Sequence, residues 1–216
     1  KIMRDNLHDY RKNYNKGELT KSKVDVNPLQ QFRKWFYEAK DSESVEEVNA
    51  MTLTTLGLDG FSKGRVVLLK KYDECGFYFY TNYLSEKGKS IAQNNKVSLS
   101  FFWPSLERQI IIKGTASKTS EDDSNNYFNS RPKGSQLGAL VSNQSEVIEN
   151  RKVIENKLAL LENQYFDKEI KKPANWGGYL VSPISIEFWQ GRPNRLHDRI
   201  RYRLSHLDWV IERLSP

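Results

Sequence analysis

The sequence predicts a mostly β fold with flanking helices, in which the strands form an antiparallel barrel or sandwich. Between residues 50 and 116, several β-prone segments follow one another with short connections, and only one short helical pattern interrupts them. Amphipathic helical patterns with capping residues lie before and after this stretch. Short connections between successive strands favour antiparallel pairing over alternating strand–helix units.

Length and composition limit the classes of protein that fit. A chain of 216 residues, 38% of them hydrophobic, suits one domain or at most a compact pair with a substantial core. No apolar run approaches the roughly 18 residues of a membrane span, and the N-terminal region has no hydrophobic segment of the signal-peptide type. Cys75 is the single cysteine, so an intrachain disulfide is excluded and a reducing compartment fits. We therefore expect a cytoplasmic protein without a membrane partner, although an organellar form stays open.

The charge balance predicts an anionic partner. The formal net charge is +7, from 34 Lys and Arg against 27 Asp and Glu. Nucleic acid, an anionic membrane and phosphorylated small molecules would all suit such a surface. The basic residues are scattered among acidic ones and form no dense block, which argues against nucleic acid. Phosphorylated small molecules are the expected partners, and one cysteine with three histidines predicts no metal site.

The N-terminal region divides into an arm and a helix. Residues 1–26 are polar and charge-rich with little apolar periodicity, which predicts a mobile arm before a single domain over residues 27–216. Asn27-Pro28 then starts a helix, because Asn can cap and Pro suits the first turn. The residues predicted to form its buried stripe are Leu29, Phe32, Phe36 and Ala39.

The middle of the chain predicts strands. Leu58-Asp59-Gly60 is a turn signal after the first of them, and a short helix is expected from Ser85 to about Asn94. The predicted strands are residues 51–56, 65–70, 77–81, 97–102 and 108–115.

Two helices and further strands follow. Ser120 with Asp123 three residues later forms a capping-box pattern, and Pro132 ends that helix near Ser130. A longer helix is expected over residues 150–166. Its predicted apolar face consists of Ile154, Leu158, Leu161 and Tyr165. Gly177-Gly178 is predicted to open two strands, one through Val181 and one from 184 to 189, and residues 200–203 and 209–213 are expected to close the sheet.

The segment from Glu187 to Arg199, EFWQGRPNRLHDR, concentrates chemically active side chains. Gly191 and Pro193 predict a turn within it. Its arginines offer planar forks for phosphate or carboxylate and can stack on flat rings, and the imidazole of His197 titrates near neutral pH. These groups indicate an anionic ligand with a flat heteroaromatic part. A polar hairpin with Arg and Asp paired on the surface is the open alternative.

This segment, together with residues 127–136 (YFNSRPKGSQ), resembles the pyridoxine (pyridoxamine) 5'-phosphate oxidases. The similarity is collinear from about Arg11 to Pro216, and FWQG followed by NRLHDR is a specific signature. The resemblance implies an FMN-binding split β-barrel and a homodimer with FMN at its interface. It also implies oxidation of pyridoxamine 5'-phosphate and pyridoxine 5'-phosphate to pyridoxal 5'-phosphate, with O2 reduced to hydrogen peroxide.

The resemblance assigns residues to a flavin site. Arg65 and Lys87 are implied to bind the flavin phosphate, and Gln109 is implied to contact the ring. The complete implied cofactor set is Arg65, Val66, Val67, Leu68, Tyr80, Thr81, Lys87, Gln109, Gln144, Ser145, Trp189 and Arg199. One position departs from the family pattern, which usually has Arg where this chain has Glu86. Glu86 is therefore not part of the predicted site. Two outcomes are open: the loss of the arginine weakens flavin binding, or the Glu86 side chain points away to solvent.

The resemblance also assigns a substrate site. Two cations and two hydroxyls, Lys70, Arg131, Tyr127 and Ser135, are implied to bind the substrate phosphate, which suits a dianion. Arg195 and His197 are the implied catalytic pair over the pyridine ring, with Leu196 between them, and Arg11 and Tyr14 are implied to close over the substrate. Tyr127 and Arg131 are expected on one helical face.

Other functions remain open at this point. One is another split-barrel flavoprotein, such as a flavin reductase; a second is a non-catalytic carrier of pyridoxal 5'-phosphate; a third is a nucleic-acid binder. The connection between Arg203 and Trp209 is shorter than in many relatives, which predicts either a short hairpin or missing residues. His206 within it is expected at the surface.

Overall fold

The computed structural model of the protein describes residues 6–216, so residues 1–5 of the predicted arm lie outside the described residues. Residues 6–26 form turns and extended segments without helix or strand. Asn27 caps the first helix, α1 (Pro28–Asp41), and its Oδ1 accepts a hydrogen bond from the Leu29 N–H at 2.8 Å. The predicted stripe is confirmed at Leu29, Phe32 and Ala39, whereas Phe36 is half-buried and Trp35 is buried beside them.

One compact unit contains residues 49–100 and 112–184. Its sheet has the strand order β2-β1-β5-β6-β7-β4-β3. The strands are β1 (Ala50–Leu56), β2 (Ser62–Leu68), β3 (Lys71–Asp73), β4 (Gly76–Asn82), β5 (Lys96–Trp103), β6 (Arg108–Lys118) and β7 (Trp176–Gln190). Strand β1 pairs antiparallel with β2 and β5, and β4 pairs antiparallel with β3 and β7. Strands β5, β6 and β7 each continue into the other unit.

Of the described residues, the other unit contains 6–48, 101–111 and 185–216. Here β7 pairs with β8 (Asp198–Ser205), which pairs with β9 (Asp208–Leu214). Because Ser205 is opposite Asp208, the turn between β8 and β9 has two residues, and His206 adopts a left-handed φ of 58°. The connection is therefore a short hairpin, the first of the two predicted alternatives.

Four more helices lie in the unit formed by residues 49–100 and 112–184. They are α2 (Glu86–Gln93), α3 (Glu121–Ser130), α4 (Lys133–Val141) and α5 (Arg151–Gln164). Ser85, Ser120 and Asn150 cap α2, α3 and α5, and the Ser120 Oγ accepts the Asp123 N–H at 3.0 Å, as the capping pattern predicts. None of the helices in the described part of the chain combines the length and apolar character needed to span a bilayer.

Several predictions about the elements were wrong. The sequence predicted two strands where β7 is one strand that runs through Pro183. Proline cannot donate to a strand ladder, and Pro183 lies between the residues of β7 that pair with β4 and those that pair with β8. Helix α4 and strand β3 were not predicted. Ile154 of α5 is exposed, while Leu158, Leu161 and Tyr165 pack on a cluster around Phe128.

Candidate active site

A cavity of about 950 Å³ lies in the unit formed by residues 49–100 and 112–184. Strand β2, the end of β4, the start of α2 and the segment around the α3–α4 junction enclose it. We call it the cationic cavity. It is lined by Lys63, Arg65, Val66, Val67, Leu68, Lys70, Tyr80, Thr81, Asn82, Glu86, Lys87, Tyr127, Arg131, Pro132, Ser135, Gln144, Ser145 and Trp176.

This lining contains most of the residues that the resemblance assigned to a flavin or a substrate phosphate. The four residues assigned to the substrate phosphate lie here: Lys70, Tyr127, Arg131 and Ser135. The residues of β2, β4, α2 and the loop after α4 that were assigned to the cofactor also line this cavity. Sequence reasoning missed Lys63, Asn82, Pro132 and Trp176 and left out Glu86. Arg131 lies just past the end of α3 in extended conformation, so it reaches the cavity as the helix cap and not, as predicted, from a helical face shared with Tyr127.

Lys87 is a buried cation at the N-terminus of α2. Its side chain is 7% exposed, and its Nζ donates to the Thr81 Oγ1 at 3.3 Å and the Ser85 Oγ at 3.4 Å. Among residues 6–216, no carboxylate forms an ion pair with it. Burial lowers the pKa of Lys87 to about 8, the positive charge of Arg65 adds to this, and Glu86 opposes it. Burial also lowers the pKa of Arg65.

Arg65 is held at the edge of the same cavity by uncharged acceptors. Its Nη1 donates to the Thr55 Oγ1 at 2.7 Å and to the Leu53 carbonyl oxygen at 3.3 Å, both on the neighbouring strand β1. These bonds fix the direction of the guanidinium without neutralising its charge. The positive charge therefore remains available to an anion.

Three aromatic rings form one wall of the cavity. The ring of Tyr80 stacks on that of Tyr127 with centroids 3.8 Å apart, and the indole of Trp176 lies nearly parallel to both, 5.8 Å and 6.1 Å away. The Arg131 guanidinium lies 4.6 Å from the centre of the Trp176 ring. Its Nη1 is buried and has no hydrogen-bond partner among the described residues. A buried donor without a partner is costly, so this group suits a bound anion.

The charged residues that line the cavity are basic except for Glu86, which carries a carboxylate. Its Oε2 accepts a hydrogen bond from the Lys63 Nζ at 2.6 Å, and both side chains are substantially exposed. Glu86 acts electrostatically on both Arg65 and Lys87. Glu86 therefore lines the cavity and pairs with Lys63, while its side chain is also partly open to solvent.

A second cavity, of about 470 Å³, lies in the unit that contains residues 6–48, 101–111 and 185–216. We call it the histidine cavity. Its lining is Tyr10, Arg11, Lys12, Asn13, Tyr14, Trp189, Arg192, Asn194, Arg195 and His197. It collects the predicted residues Arg11, Tyr14, Trp189, Arg195 and His197, and the remaining members are additions that flank them in sequence.

The rings of Trp189, His197 and Tyr14 form the centre of the histidine cavity. The centroids of Trp189 and His197 are 4.7 Å apart, and Tyr14 meets both rings edge-on at 5.8 Å and 5.6 Å. The backbone N–H of Arg192 donates to the His197 Nδ1 at 3.1 Å. Burial, assisted by the charge of Arg195, lowers the pKa of His197. The imidazole is therefore neutral at neutral pH, and its proton lies on Nε2.

The predicted turn at Gly191 and Pro193 is confirmed. Residues Pro193–Arg195 form a short 3₁₀ turn, in which Asn194 and Arg195 have left-handed φ values of 57° and 61°. Asp198 pairs with Arg213 at 2.7 Å and lies 3.6 Å from the Arg192 Nε. For Asp198, the alternative prediction of paired Arg and Asp side chains therefore holds.

Three predicted site residues line neither cavity. Gln109 is half-buried in β6, and Leu196 is exposed beyond the turn. Arg199 donates from Nε to the Glu187 Oε1 at 2.7 Å and from Nη1 to the Ser215 carbonyl oxygen at 2.9 Å. Their assignments stay predictions.

Comparison with known proteins identifies the family of this chain. The family described as pyridoxamine 5'-phosphate oxidase matches residues 38–165, and the one described as the pyridoxine 5'-phosphate oxidase C-terminal dimerisation region matches residues 176–216. The chain belongs to the pyridoxine/pyridoxamine 5'-phosphate oxidase family. Relatives of that name from Flavobacterium psychrophilum and Flavobacterium johnsoniae are 59% and 60% identical to it. Each alignment covers 97% of this chain, with 99% and 98% of the respective relative.

Two solved structures share the fold of this chain. PhzG from Burkholderia lata, solved with tetrahydrophenazine-1-carboxylic acid, matches with a TM-score of 0.84 and 26% identity over 90% of this chain and 95% of PhzG. A pyridoxamine 5'-phosphate oxidase-related, FMN binding protein from Nostoc punctiforme matches with a TM-score of 0.68 at 15% identity over 89% of this chain and all of that one. The predicted class, a mostly β split barrel with flanking helices, is confirmed.

The lowered pKa of Lys87 predicts that anion binding weakens as pH rises. Below about pH 8 the ammonium is charged and attracts an anion, whereas above it the neutral amine does not. Sulfate is a dianion throughout this range, so any change in its affinity reports on the protein. That affinity, measured by calorimetry, should fall about threefold to tenfold between about pH 7 and about pH 9.5. Lys87→Met is the control and should bind sulfate weakly at both values. An unchanged wild-type affinity, or the same pH dependence in Lys87→Met, would contradict the assignment.

Proposed function

We propose that the protein is an FMN-dependent oxidase that converts pyridoxamine 5'-phosphate and pyridoxine 5'-phosphate to pyridoxal 5'-phosphate. The observation that carries this proposal is the cationic cavity. There the buried Lys87 and the half-buried Arg131 lie beside an aromatic wall and form no ion pair with a carboxylate of residues 6–216. Such a site suits phosphorylated ligands with flat rings. Membership of the oxidase family and the names of relatives about 60% identical support the same substrates.

The residues of the cationic cavity fit FMN. Arg65 of β2 and Lys87 in the first turn of α2 provide two cations to this cavity, and the free N–H groups and dipole at the start of α2 also favour a phosphate. When bound, FMN supplies the acceptor for the hydride that leaves the substrate C4' carbon, and O2 accepts the two electrons to give hydrogen peroxide. We assign the backbone of residues 66–68, with Thr81 and Gln144, to the remaining contacts.

The substrate phosphate is assigned to Lys70, Arg131, Tyr127 and Ser135. Two positive charges match a dianion, and the two hydroxyls donate hydrogen bonds to its oxygens. Arg131 also contributes the buried Nη1 that has no partner among the described residues. Because Trp176 stacks under this guanidinium, its direction is fixed before a ligand arrives.

Arg195 and His197 are assigned to the pyridine end of the substrate. His197 is neutral and its Nδ1 is occupied by the Arg192 N–H, so Nε2 is a hydrogen-bond donor rather than a proton acceptor. We propose that this donor holds the substituent on the reacting carbon. The exposed guanidinium of Arg195 then orients the ring against the flavin.

We further propose that the protein acts as a cytoplasmic homodimer, with FMN at the interface and both protomers contributing. The match of residues 176–216 to a dimerisation region supports the dimer. Turnover with O2 as the electron acceptor belongs to the same proposal.

The proposed reaction predicts reversible bleaching of the flavin. FMN-loaded protein mixed without oxygen with pyridoxamine 5'-phosphate should lose its visible flavin band, because the substrate reduces the flavin. Air should restore the band, and an aldehyde product should appear in the absorbance spectrum. A flavin band that persists under substrate would leave the fold intact and overturn the substrate assignment.

Arg195→Ala should lower the rate and weaken substrate binding while FMN stays bound. Loss of one charge-assisted contact predicts about a tenfold fall in kcat/KM. Steady-state kinetics and the flavin absorbance of the purified variant measure the two effects. Arg203→Ala is a matched control, because Arg203 pairs with Glu212 and lines neither cavity. Full activity in Arg195→Ala would refute the role given to Arg195.

Glu86→Gln should tighten FMN binding about threefold, because one negative charge beside Arg65 and Lys87 is removed. Fluorescence titration measures the affinity, and the gain should shrink at high salt. Glu121→Gln is the control: Glu121 pairs with Lys172 at 2.8 Å in the same unit and does not line the cavity. Weaker FMN binding in Glu86→Gln would contradict this prediction. It would mean that the loss of the Glu86–Lys63 ion pair costs more binding free energy than the removal of the negative charge gains.

A further inference from the structure

A buried carboxylate, Glu107, lies beneath the arm residues of the histidine cavity. Glu107 follows the 3₁₀ turn Pro104–Leu106 and precedes β6, and it is 0% exposed. Its backbone adopts a left-handed φ of 56°, a conformation that glycine and asparagine favour and glutamate rarely adopts. A strained backbone at a buried acidic residue persists where the surrounding contacts determine it.

The side chain of Glu107 holds the arm through backbone groups. Its Oε2 accepts the N–H of Asn15 at 2.8 Å and the N–H of Lys16 at 3.0 Å. Its Oε1 has no hydrogen-bond partner among residues 6–216, and the Lys12 Nζ lies 3.9 Å away. Because the contacts at 15 and 16 are to backbone, the carboxylate fixes the path of the arm whatever side chains those positions carry.

The backbone of Glu107 holds the turn on the opposite side. Its carbonyl oxygen accepts the N–H of Gly191 at 2.7 Å and the Nε2 of Gln190 at 3.2 Å. A Cβ added to Gly191 would lie 2.8 Å from the Tyr14 ring and 3.0 Å from the Glu107 Cβ. Arm, turn and Glu107 are therefore in direct contact, and Tyr14 is pressed onto the chain just before Arg195 and His197.

We propose that Glu107 is a positioning residue that clamps residues 14–16 onto the turn carrying Arg195 and His197, and so sets the affinity for substrate. The effect on substrate affinity rests on the proposed function. The hold of Glu107 on residues 14–16 follows from the hydrogen bonds and contacts alone. A neutral amide would retain one acceptor oxygen and lose the charge that strengthens both bonds. Tyr14, which meets the rings of Trp189 and His197, would then lose its fixed position.

The kinetic test compares Glu107→Gln with Glu38→Gln in the FMN-loaded full-length protein. Glu38 accepts from the Arg108 Nη1 at 2.6 Å in the same unit and lines neither cavity, so it controls for loss of an acidic side chain. Glu107→Gln should raise KM for pyridoxamine 5'-phosphate about tenfold and change kcat by less than about twofold. Glu38→Gln should change neither. An unchanged KM, or a fall in kcat alone, would overturn the clamp.

Two readouts on the arm do not depend on turnover. Trypsin should cleave after Lys12 and Lys16 about tenfold faster in Glu107→Gln than in Glu38→Gln, because the arm opens more often. In the wild-type protein, the amides of Asn15 and Lys16 should exchange with deuterium more slowly than the amide of Asn13, which donates to no acceptor within the described residues. Equal exchange rates would overturn the clamp even if the variant failed to fold. Protein that turns over neither vitamin phosphate would refute the proposed function, and these two measurements would still decide the clamp.

Discussion

The cationic cavity depends on one constraint: within the described part of the chain, Lys87 and Arg131 have no carboxylate as an ion-pair partner. Removing a cation from water is costly unless a partner replaces the solvent, and the lowered pKa of Lys87 expresses that cost. The neighbours of these two cations orient them without neutralising them. Lys87 donates to two hydroxyls, and Arg131 lies over the indole face of Trp176. The surrounding strands and helix caps therefore keep both cations charged and oriented, so that an anion can bind to them without rearrangement of the site.

The histidine cavity solves a different problem, because its chemistry needs a neutral group in a fixed orientation. Two successive left-handed residues, Asn194 and Arg195, bend the chain so sharply that the Arg192 N–H reaches the His197 Nδ1. Burial lowers the pKa of the imidazole, and the charge of Arg195 adds to this effect. The bent backbone thus selects the tautomer of His197, and the contacts of the turn with Glu107 stabilise that strained path.

The sequence predicted well whatever depends on local pattern and poorly whatever depends on tertiary contact. The caps at Asn27 and Ser120 are local signals, and the helices began where those signals stood. Helix α4 was missed because two glycines lower its helical propensity, whereas Leu137 and Val141 are buried against neighbouring elements, which no local pattern reveals. For the site, resemblance supplied most of the lining residues. It could not reveal Trp176, whose role arises from stacking on residues about 50 and 100 positions away.

Glu86 illustrates why the sum of charges in a cavity matters more than the residue at one position. Where the family usually has arginine, this chain has a carboxylate, which by itself would repel a phosphate. The chain also has Lys63 within 2.6 Å of it, so the pair is neutral and lies at the exposed rim. The half-buried Arg65 and the buried Lys87 keep their charge, and Glu86 offsets their mutual repulsion in the absence of an anion. The presence of glutamate instead of arginine at position 86 therefore lowers the electrostatic cost of keeping two cations together. The groups that would contact a phosphate stay in place.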